Sequence, residues 1–192
     1  MRSHAWFFAL IVPGLVAAPA VGLAQDGRDQ RKAVKRDLPG PVHRRLNDLA
    51  GTWDVAIQYK LGDKTYDGKA TYEAKWILDG RFLQQEYKCR FQGQPFQVIQ
   101  LLGYDNPRKK TIEIMIDNLS TSVLHNEGSI SDDGKVITNL GEGRDPATGK
   151  PYKLRTVTTI VDPGRFTLEW FRTEDGGKEN RVVTMTHTRR KT

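Results

Sequence analysis

The side chains suited to nucleophilic or metal chemistry are few and scattered along the chain. Outside the first 24 residues the candidate general bases are His43, His125 and His187, and the chain has one cysteine, Cys89. A hydrolytic triad also needs a nucleophile and an orienting group, and the sequence has no Gly-x-Ser-x-Gly elbow. It has no phosphate loop or dinucleotide fingerprint, and no His, Cys and carboxylate cluster at zinc-ligand spacing. The sequence therefore predicts no catalytic motif and no metal site.

Four charged residues on neighbouring predicted strands are the candidates for an interior polar site: Asp117, Glu127, Arg155 and Glu169. An arginine buried beside acids would anchor the polar head of a ligand or form a structural ion pair. Glu169 falls on the face opposite an apolar one, which predicts an outward orientation. Exposure to solvent is the favoured interpretation for all four.

The elements that must position these groups are strands, because apolar and polar residues alternate with period two over most of the chain. The first two runs place on one face Trp53, Val55, Ile57 and Tyr59, and then Ala70, Tyr72, Ala74 and Trp76. The third run places Cys89 on an apolar face with Tyr87, which predicts a buried small hydrophobe rather than an activated thiolate.

The whole pattern predicts an all-β, about ten-stranded antiparallel up-and-down, calycin-like barrel. No helix-length periodic segment separates the strands, which excludes a parallel β-α-β fold, and short consecutive loops favour a meander. Closing such a wide sheet removes its two exposed edges. A short amphipathic helix from Pro41, with Val42, Leu46 and Leu49 on its apolar side, precedes the barrel and is expected to close one end.

The residues before the barrel are predicted to have other roles. Residues 1–24 resemble a cleaved secretory signal, with Arg2, an apolar run broken by Pro13 and Pro19, and small residues at Gly22 and Ala24. A membrane anchor is the alternative, although the run is at the lower limit for a span. Residues 25–40 are predicted to be a flexible linker and residues 41–192 the barrel domain. We expect a periplasmic or secreted protein without stable membrane insertion.

The net charge of +7 is concentrated at the two ends of the chain. Residues 25–45 carry seven Lys or Arg against three acids, and residues 189–191 add three more positive charges. Residues 46–188 carry 19 basic and 20 acidic side chains, so the folded part is close to neutral. A nucleic-acid partner requires a basic folded face and is excluded on this ground.

A barrel of this width has room for a small ligand, or for a core filled by its own aromatic side chains. We expect the first, with a ligand-binding set of Trp53, Tyr72, Trp76, Tyr87 and Arg155. The predicted partner is a small, largely apolar molecule.

Several ordered segments carry a family resemblance: GTWDV after a short helix, WILDGRFLQQEY, GQPFQVIQLLGYDNPRKK, IDNLSTS, EGSIS and DPATGKPYKLRTVTTIVD. From about Pro39 to Arg190 the chain resembles the bacterial DUF1579 family, whose members are barrels similar to lipocalins and nitrobindins. The resemblance implies the barrel and supplies no catalytic residue, because the activity of the family is unknown.

The likeness to nitrobindins implies one specific site. Those proteins hold haem iron through a histidine close to the C-terminus, and His187 lies on the last strand with Val183 and Met185. A surface or hydrogen-bonded histidine is the favoured alternative, so haem is retained only as a hypothesis and no other cofactor is expected.

Together these features predict an exported, non-enzymatic barrel that binds a small, largely apolar ligand. An enzyme acting on a small hydrophobic substrate in the cavity, and a structural envelope protein without a ligand, are the alternatives. An apolar cavity with a few polar groups would favour binding, and a polar cluster with perturbed ionisation would favour catalysis.

Overall fold

Ten antiparallel strands form one closed barrel in the computed structural model, which describes residues 38–145, 147–174 and 176–191. Each strand pairs with its neighbours in sequence, and the first strand pairs with the last. The strands are β1 (Gly51–Leu61), β2 (Lys64–Ile77), β3 (Phe82–Phe91), β4 (Gln94–Asp105), β5 (Lys110–Asp117), β6 (Leu124–Ile130), β7 (Val136–Arg144), β8 (Pro151–Asp162), β9 (Arg165–Glu174) and β10 (Asn180–Arg189). The predicted up-and-down barrel is confirmed. The predicted signal sequence and all but the end of the predicted linker lie outside the described residues.

The helix before the barrel is short and tightens at its end. Helix α1 (Pro41–Arg45) continues as a 3-10 helix (Leu46–Leu49), and the buried side chains are His43, Leu46 and Leu49. These three residues are spaced three apart, which puts them on one face of a helix with three residues per turn. His43 therefore points inward at the position where Val42 was expected. No helix among the described residues has the length and apolar character needed to cross a membrane.

Trp53 anchors the end of the barrel that the helix covers, hereafter the closed end. Its side chain has no exposed surface and belongs to the same buried cluster as Leu46 and Leu49. The ring meets Phe166 edge-on at 4.7 Å, and the Arg189 guanidinium lies 4.0 Å above it. Arg189 also donates hydrogen bonds to three backbone carbonyls around this end. The predicted packing of Trp53 against the short helix is confirmed.

The inward positions of the strands divide into an apolar part and a polar band. Apolar and aromatic side chains fill the closed end. Across the middle of β3 to β8 the buried side chains are polar: Gln85, Gln100, Thr111, Glu113, Asn126, Asn139 and Thr156. The opposite end, hereafter the open end, is lined mainly by apolar side chains around free space.

Candidate functional site

The inner cavity is a space of about 240 Å³ inside the open end of the barrel. Its walls include Ile57, Val98, Met115, Val183 and Met185 on four strands. Side chains alternate across each strand, so inward positions from neighbouring strands converge on one space. The cavity exceeds the roughly 150 Å³ of an engineered protein cavity that binds benzene. Its size and lining suit a small apolar molecule.

Aromatic and aliphatic side chains surround the entrance of the inner cavity. Tyr59 stacks on Tyr66 with ring centres 5.4 Å apart and touches Phe91 at 5.3 Å. On the other side, an outer pocket of about 560 Å³ shares wall residues with the inner cavity and includes Leu119 and Val123. These two side chains are 54% and 63% exposed, so apolar surface continues from the solvent to the cavity.

The floor of the inner cavity consists of Tyr87, Gln100 and Leu168. These three residues border both the cavity and a cleft of about 20 Å³ beneath it. The Tyr87 hydroxyl and Nε2 of His187 lie 3.1 Å apart and share a hydrogen bond. His187 has no exposed surface, and burial lowers its pKa to about 3. The imidazole is therefore neutral and holds the Tyr87 hydroxyl in place.

Gln100 is held by the most deeply buried acid among the described residues. Glu113 is 2% exposed, and its carboxylate accepts hydrogen bonds from Gln100, from Asn139 at 2.7 Å and from Thr156 at 3.2 Å. Burial raises the pKa of Glu113, and the hydrogen bonds from its amide and hydroxyl neighbours act in the opposite direction. The result is a buried polar network under the apolar cavity.

Two glycines make room for this network by close approach. A Cβ atom on Gly141 would overlap the Asn126 side-chain oxygen, and one on Gly128 would overlap the Thr138 carbonyl. Neither glycine has a positive φ, so the requirement here is space rather than backbone freedom. The lack of a side chain at Gly128 on β6 and at Gly141 on β7 leaves space for the buried side chains of Asn126 and Asn139.

Of the five residues predicted to bind a ligand, Tyr87 lines the inner cavity. Tyr72 packs against it with ring centres 4.6 Å apart and borders the cleft below the floor, not the inner cavity. Trp53 and Trp76 lie at the closed end, and the Trp76 indole donates a 2.9 Å hydrogen bond to the 3-10 helix. Arg155 lies on the outer face of β8, since the residues on either side of it, Leu154 and Thr156, are buried.

Three of the four charged candidates are on the outside of the barrel, each with a partner there. The Arg155 guanidinium donates two hydrogen bonds to Glu179, and Glu127 accepts a hydrogen bond from the Arg108 guanidinium. Glu169 is paired with a guanidinium in the same way. Only Asp117 lines the cavity, at its mouth, where it accepts backbone N–H bonds from the following turn. The expected exposure to solvent therefore fits the positions of Arg155, Glu127 and Glu169, and it does not fit that of Asp117.

The other candidate groups are held in ways that do not resemble an active nucleophile. Cys89 lines the inner cavity, and burial raises the pKa of its thiol. His43 lies under the helix, where its Nδ1 accepts the Gly40 N–H at 3.1 Å, and His125 is on the outer surface. No group of three or more His, Cys, Asp or Glu residues within residues 38–145, 147–174 and 176–191 has metal-site geometry.

The surroundings of His187 do not fit a haem. Its Nε2 is engaged with Tyr87, and its ring is stacked on Phe166 at 3.8 Å. His187 is not among the residues that line the inner cavity, and the cleft of about 20 Å³ that its neighbours Tyr87 and Phe166 border holds no more than one water molecule. A porphyrin has no access to the imidazole nitrogen in this conformation.

The fold and the cavity define a class: a closed antiparallel β-barrel, capped by a helix at one end and hollow at the other. The chain belongs to a family described as "Protein of unknown function (DUF1579)", which matches residues 38–189. None of the curated protein sequences matches the chain.

The solved structures that resemble this barrel include the following two. Rv2717c from M. tuberculosis has a TM-score of 0.60 and 15% sequence identity, over 79% of this chain and 99% of that chain. A redesigned beta barrel has a TM-score of 0.42 and 15% identity, over 77% of this chain and 96% of that chain. The likeness to Rv2717c shows a shared barrel fold.

Proposed function

We propose that this protein binds a small, largely apolar molecule in the inner cavity. The observation that carries the proposal is the cavity of about 240 Å³, walled by aliphatic and aromatic side chains and floored by a few fixed polar groups. Ligand sites in proteins have this composition, since apolar walls supply most of the binding energy and polar groups orient the ligand. The exposed apolar residues around the mouth support access for a ligand of the same character.

The proposal is tested with N-phenyl-1-naphthylamine, a neutral apolar dye whose fluorescence rises in apolar surroundings. Ala70 lines the cavity, and Ala56 lies on the outer face of the adjacent strand. Ala70→Leu places extra methyl groups in the cavity, and Ala56→Leu makes the same change in solvent. We expect saturable binding of one dye per chain, weakened at least tenfold by Ala70→Leu and unchanged by Ala56→Leu. Equal binding by both variants, or no binding by the wild type, contradicts the proposal.

We also propose that the protein is exported and that its mature chain starts at Gln25. The support is the signal-like composition of residues 1–24, with small residues at Gly22 and Ala24. Mass determination of the protein recovered from the producing cells tests this proposal. A mass that includes residues 1–24, in a membrane fraction, contradicts it.

An enzyme acting on a small hydrophobic substrate is the second candidate, because Tyr87 borders the cavity and its hydroxyl is bonded to a neutral imidazole. Native mass spectrometry of protein purified from the cells that make it separates the two functions. A binding protein retains one intact apolar molecule in both the wild type and Tyr87→Phe. An enzyme accumulates its substrate only in Tyr87→Phe.

A further inference from the structure

The floor of the inner cavity offers hydrogen-bond acceptors, and we infer that the ligand carries a neutral hydroxyl group that docks against Tyr87 and Gln100. The inference rests on the proposed binding function and names the chemical class of ligand. Such a molecule is an apolar alcohol or phenol with its hydroxyl at the end that enters first.

The first acceptor is the Tyr87 phenol oxygen. Its hydrogen bond to His187 Nε2 uses one bonding position of the hydroxyl. Whichever tautomer His187 adopts, the oxygen keeps at least one lone pair. Tyr87 borders both the cavity and the cleft below it, so its side chain lies where the two spaces meet. The fully buried His187 fixes the position of the hydroxyl before a ligand arrives.

The second acceptor is the side-chain oxygen of Gln100. One amide N–H of Gln100 is donated to Glu113, whose other carboxylate oxygen accepts from Asn139 and Thr156. That network orients the amide and leaves its oxygen without a partner in the network. Gln100 borders the inner cavity, so this oxygen is placed to accept a hydrogen bond from a ligand hydroxyl.

The charge of the floor selects against an acidic ligand. The residues around the floor cleft include Glu113 and no Lys or Arg among those that the structure describes. Lys69 and Arg90 line the inner cavity but are exposed, so a carboxylate head at the floor would lose its hydration without gaining a cation. It would also be repelled by a Glu113 anion. A hydrocarbon would leave both acceptors unpaired. A hydroxyl satisfies them and carries no charge.

The test compares three probes of one shape: 4-propylphenol, propylbenzene and 4-propylbenzoate. Binding to the full chain is measured at pH 7 by displacement of N-phenyl-1-naphthylamine. We expect 4-propylphenol to bind about tenfold more tightly than propylbenzene, the equivalent of one hydrogen bond, and 4-propylbenzoate to bind most weakly. Equal binding of the phenol and the hydrocarbon, or tightest binding of the benzoate, overturns the inference while leaving a ligand cavity. If none of the three displaces the dye, the proposed function fails with it.

Variants locate the preference on the floor. Tyr87→Phe should remove most of the preference for 4-propylphenol over propylbenzene without weakening propylbenzene. Tyr104→Phe is the matched control, because Tyr104 packs edge-on against His43 and does not line the cavity. Gln100→Met tests the second acceptor and serves if Tyr87→Phe does not fold. If every folded floor variant still prefers 4-propylphenol to propylbenzene, the assignment of the hydroxyl site to Tyr87 and Gln100 is wrong.

Discussion

Acid should destabilise the barrel through His187, with a magnitude set by its burial. The unfolded chain takes up a proton near the ordinary histidine pKa of 6.5, whereas the folded pKa is about 3. Between these values the unfolded state binds the proton and the folded state does not, so stability falls as the pH falls. From pH 7 to pH 4.5 the loss from this one residue is about 2.5 kcal/mol.

The assay is urea unfolding of the wild type and His187→Gln, followed by tryptophan fluorescence at several pH values from 7 to 4.5. The free-energy advantage of the wild type over His187→Gln should shrink by about 2.5 kcal/mol across this range. Taking the difference cancels other titrations, including that of Glu113, whose raised pKa acts in the opposite direction. His125→Gln makes the same replacement on the outer wall as a control. Parallel profiles for the wild type and His187→Gln would refute the reasoning.

Three further perturbations test other parts of the structure. Trp53→Ala should cost about 3 to 5 kcal/mol in urea unfolding, because the ring is fully buried, and a loss below about 1 kcal/mol would argue against its packing. Gly141→Ala should lower the free energy of unfolding by about 1 to 3 kcal/mol, because the new Cβ collides with Asn126. Gly68→Ala is the control and should change it by less than about 1 kcal/mol, because a Cβ there meets only ordinary contacts. Equal effects of the two substitutions would contradict the close approach of Asn126 to Gly141. The stability advantage of the wild type over Glu113→Gln should shrink as the pH rises above 4.5, because the raised pKa lets the folded state hold the proton; a constant difference in chemical denaturation would contradict a raised pKa.

The strand pattern predicts the barrel because most strands follow the usual rule of one apolar face turned inward. Trp53 and its neighbours on β1 and β2 alternate cleanly, and both strands are buried on the predicted side. The short helix before β1 is predicted to close one end of the barrel, and the structure packs it on Trp53. A helix of two turns is not stable without such packing. Period-two alternation and turn residues are local signals, and a meander needs only local pairings.

Strand β5 breaks that rule, and for this reason the polar floor could not be predicted in full. Its isoleucines are the apolar face in the sequence, yet Thr111, Glu113 and Met115 point inward, and Ile116 is 42% exposed. Pairing with β4 sets this register, since Gln100 stands opposite Met115. A signal was present in the neighbouring strands, where glutamines and asparagines occupy inward positions in one band. The alternation of residues within one strand cannot reveal a polar band that crosses six strands.

Whether the inner cavity holds an apolar molecule is tested most directly by diffraction from crystals soaked in iodobenzene. The iodine atom gives an anomalous signal that locates the molecule without reference to its shape. We predict a single strong iodine peak inside the barrel, between Leu168, Met115 and Met185, which line the cavity. Crystals of Ala70→Leu should lack this peak, and crystals of Ala56→Leu should keep it. Iodine bound only on the outer wall, with the interior filled by the protein's own side chains, would contradict the account.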